Sequence, residues 1–173
     1  MVSKRQLPPF QNETVRLRLL AEADLPLTLA WRNKPEIRRW FFNSAELTWE
    51  QHRGWFESYS TRDDDFIFMI EDVQSAQPVG QVSLYHIDWQ TRRGEYGRLM
   101  IGDDKARGKG FARAATRLVC QLGFEALDLV EIYLEVYEHN AAARAVYAAC
   151  GFQLEHLQDG VAFMNMKPGD LTV

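Results

Sequence analysis

The residues with the most evident chemical purpose lie between Ile101 and Ala112, where Gly102-Asp103-Asp104-Lys105-Ala106 runs into Arg107-Gly108-Lys109-Gly110-Phe111-Ala112. Glycines let a main chain approach an anion closely. The free N–H groups of a first helical turn, backed by the helix dipole, can then hold phosphate oxygens. A glycine-rich basic segment that leads into a helix is therefore phosphate-binding architecture. It fits neither common nucleotide motif. A P-loop requires glycine where Asp103 stands and Ser or Thr where Gly110 stands, and a dinucleotide fingerprint requires glycine at Arg113. Farther along, Asn140 precedes Tyr147 by seven positions, with Gly151-Phe152 after them. Seven steps of about 100° return nearly to the same helix face, so the two side chains share a side, roughly 10 Å apart along the axis.

Periodicity indicates the elements that must position these residues. Val15, Leu17 and Leu19 alternate with Arg16 and Arg18, which predicts a half-buried strand ending at Leu20. Asp24 is expected to cap a helix with Pro26 in its first turn, running to about Asn33, and Pro35 to start a further turn. Thr48 and Gln51 form a capping-box pattern for a helix from about Trp49 to Ser60. Phe66 to Ile70 reads as a strand buried on both faces, followed by strands at Val82 to Ile87 and Glu95 to Ile101, the three forming an antiparallel meander. Ala115, Leu118, Val119 and Leu122 mark a helix from about Lys109 to Phe124, and Glu131 to Val136 alternates as a strand. Ala142, Ala145, Val146 and Ala149 mark another helix, stopped by Gly151. A hairpin, Phe152 to Leu157 and Val161 to Met166, then turns at Asp159-Gly160.

Composition excludes several classes. With 173 residues, 46% hydrophobic and 25% charged, the chain is ordinary globular material for one domain and not a disordered protein. The longest apolar run, Ala145 to Cys150, falls far short of the roughly 18 residues a membrane span needs, so no membrane partner is expected. Met1 to Asn12 holds Lys4, Arg5, Pro8 and Pro9 without an apolar stretch, which predicts a flexible start, no export signal and a cytoplasmic location. A formal net charge of -4 gives no electrostatic reason to bind nucleic acid. Cys120 and Cys150 cannot form a disulfide framework and are expected to be buried thiols. His86, His139 and His156 lack metal-ligand spacing, so no metal is expected and these histidines read as ordinary strand or loop residues.

The spacing Arg107-x-x-Gly110-x-Ala112, followed by Asn140, Tyr147 and Gly151-Phe152, resembles the GCN5-related N-acetyltransferase family. The resemblance implies an α+β fold with a mainly antiparallel mixed central sheet and helices on both faces. It also implies a single domain over residues 1–173, with acceptor-side helices at 21–62 and an acetyl-CoA-binding core at 101–152. In the same way it implies that the loop Arg107, Gly108, Lys109, Gly110, Phe111 and Ala112 holds the pyrophosphate of acetyl-CoA, with Asn140 and Ala143 on the pantetheine arm. Tyr147 then lies near the thioester sulfur, and the backbone at Leu99, Met100 and Ile101 polarises the carbonyl.

Tyr147 is expected to stabilise the departing thiolate through a hydrogen bond. Full proton transfer from a phenol of pKa about 10 to a thiolate of about 8.5 is uphill by roughly 2 kcal/mol. Glu135 is the candidate to take the amine proton, directly or through water, with a solvent-facing strand residue as the alternative; Ser83 and Glu95 are weaker candidates to position that water.

Trp31, Trp40, Trp49 and Trp55 fall beside Phe41, Phe42 and Phe56, with Arg32, Arg38, Arg39, His52 and Arg53 interleaved. Rings that stack on a base or sugar beside guanidinium groups suit a nucleotide-linked sugar, and a helix pair packed by aromatics is the alternative. Trp31-Arg32-Asn33-x-Pro35-Glu36-Ile37-Arg38, with Phe41-Phe42-Asn43, His52 and Trp55, looks like the aminosugar N-acetyltransferases of pseudaminic acid biosynthesis. On that resemblance Arg32, Phe41, Phe42, His52 and Trp55 line the acceptor site, with Glu135 near the 4-amino group of a UDP-linked sugar; Ser83 and Tyr96 are further substrate-binding candidates. A protein N-terminus, a polyamine and an aminoglycoside stay open as acceptors, as do a non-catalytic acyl-CoA sensor and a homodimer.

Overall fold

The computed structural model describes residues 4–172. Eight strands form one sheet: β1 (Phe10–Gln11), β2 (Val15–Leu19), β3 (Phe66–Asp72), β4 (Pro78–Asp88), β5 (Arg93–Ile101), β6 (Glu131–Tyr137), β7 (Gln153–Gln158) and β8 (Val161–Met166). Their order is β1-β2-β3-β4-β5-β6-β8-β7, antiparallel everywhere except between β5 and β6. The expected meander therefore extends to β2 through β5. Phe10 and Gln11, expected in a flexible start, pair with Leu17 and Arg16 instead.

Helices α1 (Leu25–Arg32), α2 (Pro35–Arg38) and α3 (Trp49–Ser60) lie between β2 and β3; α4 (Phe111–Glu125) follows β5 and α5 (Ala141–Cys150) follows β6. The sheet face under α4 is lined by Phe66, Phe68 and Ile70, while Ile67 and Met69 face α1 and α3 with Leu25, Trp31 and Tyr59. Helices thus cover both faces, and the period of two in β3 divides its side chains between two apolar layers.

Thr48 and Gln51 close their capping box as expected. Asp24 does not cap α1: its carboxylate is taken by Arg18 at 2.7 and 2.9 Å and by the Ala21 amide. A doubly bonded ion pair outcompetes the helix N-terminus for a single carboxylate. Asp159 and Gly160 turn the last hairpin with φ of 51° and 76°, as a two-residue turn of that hand requires.

Candidate active site

The parallel pairing of β5 with β6 stops early. Arg93, Gly94 and Glu95 pair with Glu131, Ile132 and Tyr133, and the strands then diverge. The divergence is assisted by a bulge in β5: Gln81 opposes Met100 and Ser83 opposes Gly97, so Arg98 and Leu99 stand against Val82 alone, and Arg98 takes φ of 55°. Main-chain groups of β5 beyond Glu95 consequently have no β6 partner. They border a cavity of about 440 Å³ lined by Leu99, Met100 and Ile101 on one strand and Leu134, Glu135 and Val136 on the other.

Arg107, Asn140, Ala143 and Tyr147 line the same cavity, so the structure brings together most of the expected donor-side residues. At its loop end, Gly108 and Gly110 take φ of 74° and 85°, and a Cβ at either would meet open space. The amides of residues 107 to 113 find no acceptor among the described residues. Consecutive free N–H groups on a positive-φ glycine turn at a helix N-terminus can cradle an anion such as a diphosphate. Lys109 and Phe111 point elsewhere, lining a separate recess with Asp72 and Asp103. Phe111 is also part of the main core, so what the loop offers to a ligand is its backbone.

Asn140 caps α5, its Oδ1 accepting from the Ala143 amide at 3.2 Å, while the residue still borders the cavity. Tyr147 is buried, and its ring meets Tyr96 edge to face at 5.3 Å. Burial pushes its phenol far above the usual range. The proton therefore stays on Tyr147, which suits donating a hydrogen bond to a thiolate and disfavours giving up the proton. Tyr96 borders the cavity, but its hydroxyl is bonded to Thr116 at 2.8 Å in the core, so it supports Tyr147 and does not reach an acceptor. Burial, then the negative charge of Glu95, raises the pKa of Glu135, which moves this carboxyl toward the neutral range where a base is useful.

A second cavity of about 340 Å³ adjoins the first, with Phe41, Arg98 and Met100 common to both. Arg32, His52 and Trp55 line it, as expected of the acceptor side. Arg32 stacks on Phe41 at 4.2 Å, and its Nη1 has no hydrogen-bond partner among the described residues. Burial, with the charge of Arg32 beside it, lowers the pKa of His52, keeping its ring neutral; Nε2 lies 3.0 Å from the Thr28 hydroxyl. Phe42 does not join this cavity. It is exposed and packs on Tyr137 at the mouth of the first. Ser83 is fully buried, its Oγ unpartnered, and lines neither cavity.

Arg98, Gln81 and Thr28 line the second cavity and were not singled out from sequence. Thr28 stands four residues before Arg32 on α1, a spacing that puts both on one face. Arg98 is a charged residue inside an otherwise apolar strand end, Leu99-Met100-Ile101. Either signal was available.

Among known proteins, the chain is 28% identical over 161 residues to a spermidine N(1)-acetyltransferase of Vibrio cholerae, covering 92% of this chain and 91% of that one. The crystal structure of the Vibrio cholerae spermidine N-acetyltransferase in complex with CoA and spermine superposes with a TM-score of 0.83 at 25% identity, covering 92% of this chain and 98% of that one. FdhC, described as a nucleotide-linked sugar GNAT, superposes with a TM-score of 0.82 at 20% identity, covering 94% and 92%, which bears on the fold alone. The uncharacterized protein MJ1062 of Methanocaldococcus jannaschii is 26% identical over 144 residues; the match covers 83% of this chain and spans 29% of that longer protein. The family profile of the acetyltransferase (GNAT) domain matches residues 14–153, most of the chain, which therefore belongs to that family and is an acetyl-CoA-dependent N-acetyltransferase.

Proposed function

We propose that the chain moves an acetyl group from acetyl-CoA directly onto the primary amine of a small acceptor that carries a sugar ring and an anionic group, in chemical class a nucleotide-linked aminosugar. The observation that carries this reading is Arg32. Its residue is 8% exposed, its Nη1 has no hydrogen-bond partner among the described residues, and no carboxylate lines the cavity, whose other guanidinium, Arg98, is already paired with Asp65. A buried cation with an unsatisfied donor favours an anionic partner, and the faces of Phe41 and Trp55 suit a flat or sugar ring beside it.

In this reading the amides of residues 107 to 113 and the Arg107 side chain hold the diphosphate, and Asn140 borders the pantetheine arm. Acetyl-CoA supplies the thioester carbonyl and the thiolate leaving group. Backbone N–H near Leu99 to Ile101 polarises the carbonyl, Glu135 takes the amine proton, and Tyr147 donates a hydrogen bond to the departing sulfur.

The Vibrio cholerae relative supports a second reading, a polyamine acceptor, and the carboxylates of Glu36, Glu135 and Asp159 at the outer mouth are compatible with a cation there. A polyamine entering the inner cavity, however, meets the guanidinium of Arg32 and no lining carboxylate, since Arg98 there is already paired with Asp65. Thiol release from acetyl-CoA over UDP-linked aminosugars, spermidine, aminoglycosides and peptides separates the readings. UDP alone is expected to raise the melting temperature. Turnover of spermidine with no thermal shift by UDP would replace the sugar reading with the polyamine one.

A further inference from the structure

Tyr85, Tyr96 and Tyr147 all border the cavity between β5 and β6. The hydroxyl of Tyr96 is bonded to Thr116, and that of Tyr147 is the donor to the departing sulfur in the reading above. Tyr85 has no such assignment, yet the fold holds its ring on several sides. β5 pairs with β6 only as far as Glu95, and Gly97 follows two residues later. A Cβ at Gly97 would lie 2.8 Å from the Tyr85 hydroxyl oxygen and 3.0 Å from its Cε1, so this glycine makes room for the phenol. The hydroxyl therefore stands over the β5 main chain where the strands have just parted.

The β5 bulge carries the next residue, Arg98, across the same ring, with its guanidinium 4.0 Å from the ring centre. Arg98 is itself fixed. Its two terminal nitrogens meet the carboxylate of Asp65 at 2.8 and 3.2 Å, and Asp65 is 1% exposed. A two-point arginine–carboxylate pair sets orientation as well as distance. Just beyond Tyr85, β4 has a bulge of its own: Tyr85 opposes Glu95 and Asp88 opposes Arg93, so His86 and Ile87 stand against Gly94 alone. Side chains of a regular strand alternate between faces, whereas here His86 takes φ of 47° and its ring meets that of Tyr85 at 4.6 Å.

The chemistry calls for a group in this place. An amine attacking a thioester points its lone pair at the carbonyl carbon and carries two N–H bonds. One gives its proton to Glu135, and the other, once it has left water, needs a hydrogen-bond acceptor. Among the polar side chains of the cavity, Asn140 has its Oδ1 on the Ala143 amide and Glu36 faces Arg107. A phenol oxygen can accept. Burial, then the charge of Glu95, raises the pKa of Tyr85, so its hydroxyl stays protonated and does not compete with Glu135 for the proton. Arg98 lines both this cavity and the inner one, so the ring beneath it lies beside the junction that an acceptor crosses between them.

We propose that Tyr85 is a further residue of the active site: its oxygen accepts a hydrogen bond from the second N–H of the acceptor amine and so turns the amine lone pair toward the carbonyl, with Gly97, Arg98 and Asp65 as positioning residues for that hydroxyl. The proposal rests on the reading of direct amine attack with Glu135 as proton acceptor. As the N–C bond forms, one amine N–H bond breaks and its proton passes to a Glu135 oxygen. The C–S bond breaks with its electron pair on sulfur; Tyr85 gains and loses no proton.

The test is thiol release from acetyl-CoA by the full-length protein, with whichever of a UDP-linked aminosugar and spermidine the wild type turns over, so that acceptor identity and the role of Tyr85 fail separately. Y85F keeps the ring and removes only the oxygen. Its kcat is expected to fall about 2- to 10-fold, with a smaller change in the acceptor KM and with CoA affinity and melting temperature as in wild type. G97A pushes on the hydroxyl, so it is expected to lower kcat when Tyr85 is present and to add no further loss in Y85F. Wild-type kcat in Y85F overturns the role of Tyr85, and a G97A loss of equal size in both backgrounds overturns the positioning by Gly97. Full turnover by E135Q instead overturns the assignment of Glu135 on which the proposal rests.

Discussion

The guanidinium of Arg107 lies 3.6 Å from the carboxylate of Glu36, so the arginine of the loop proposed to hold the diphosphate is paired with a residue of helix α2. Asp104 adds a second carboxylate at 3.3 Å. A diphosphate entering the loop competes with both. The pair is exposed enough that its worth is at most about 1 kcal/mol. Removing the competitor should therefore improve CoA affinity by up to about fivefold. Calorimetric titration of E36Q with CoA at low salt checks this, and an affinity equal to or weaker than wild type would mean that Arg107 does not exchange partners.

Replacing Tyr147 by Phe removes the hydroxyl while leaving the edge-to-face packing on Tyr96 and the contact with Phe152. A hydrogen bond to a charged group is worth about 1.5–3 kcal/mol, so kcat should fall roughly 10- to 100-fold. CoA affinity should be nearly unchanged, because the lost interaction develops only as the thiolate forms. Turnover at the wild-type rate would remove Tyr147 from the chemistry and leave it a core residue.

Gly110, like Gly108, takes a positive φ in the loop, and it is the residue from which α4 starts. Its φ of 85° is strained for any side chain, and the space into which a Cβ would project is open. Valine there should cost about 1–2 kcal/mol of stability and weaken CoA binding by more than tenfold. Differential scanning fluorimetry with and without CoA separates the effects, since a purely structural glycine would lower the melting temperature and leave the ligand-induced shift intact.

The elements were legible in the sequence because local rules and packing agree there. The Thr48–Gln51 box, the double-sided burial of β3 and the Gly151 stop at the end of α5 all follow from short-range patterns that the tertiary structure reinforces. The turn before α4 was legible for a similar reason, since it is made of backbone whose conformation the glycines reveal. The bulges in β4 and β5 were not legible. His86 and Arg98 adopt a backbone region that favours glycine, and no residue type announces it; only their tertiary partners do, Glu95 on the adjacent strand and Asp65 just before β3. Asp24 misled for a related reason: as a cap it is local, whereas its actual partner Arg18 comes from the neighbouring strand. Ser83 faces the interior because β4 is covered on both sides there, and nothing in its own residue type distinguishes that from a site.

Arg32 offers a prediction in which stability and function move apart. Its side chain is buried with one terminal nitrogen unpartnered, and burial together with the charge of Arg38 lowers its pKa, the mark of a cation held where it is poorly solvated. It retains a bond from Nη2 to the Asn43 carbonyl and the stack on Phe41. Methionine fills a similar volume without the charge. Replacing a poorly compensated buried ion by an apolar side chain is commonly neutral or stabilising, so the melting temperature of R32M should equal or exceed that of wild type. If the arginine is there for an anionic acceptor, the half-saturating concentration of that acceptor should rise by tenfold or more while CoA affinity stays the same. Fluorimetry and thiol-release kinetics on one preparation decide the matter. A lower melting temperature with acceptor saturation unchanged would make Arg32 a strut between α1 and the segment at Asn43, and the inner cavity would then lose its claim to the anion.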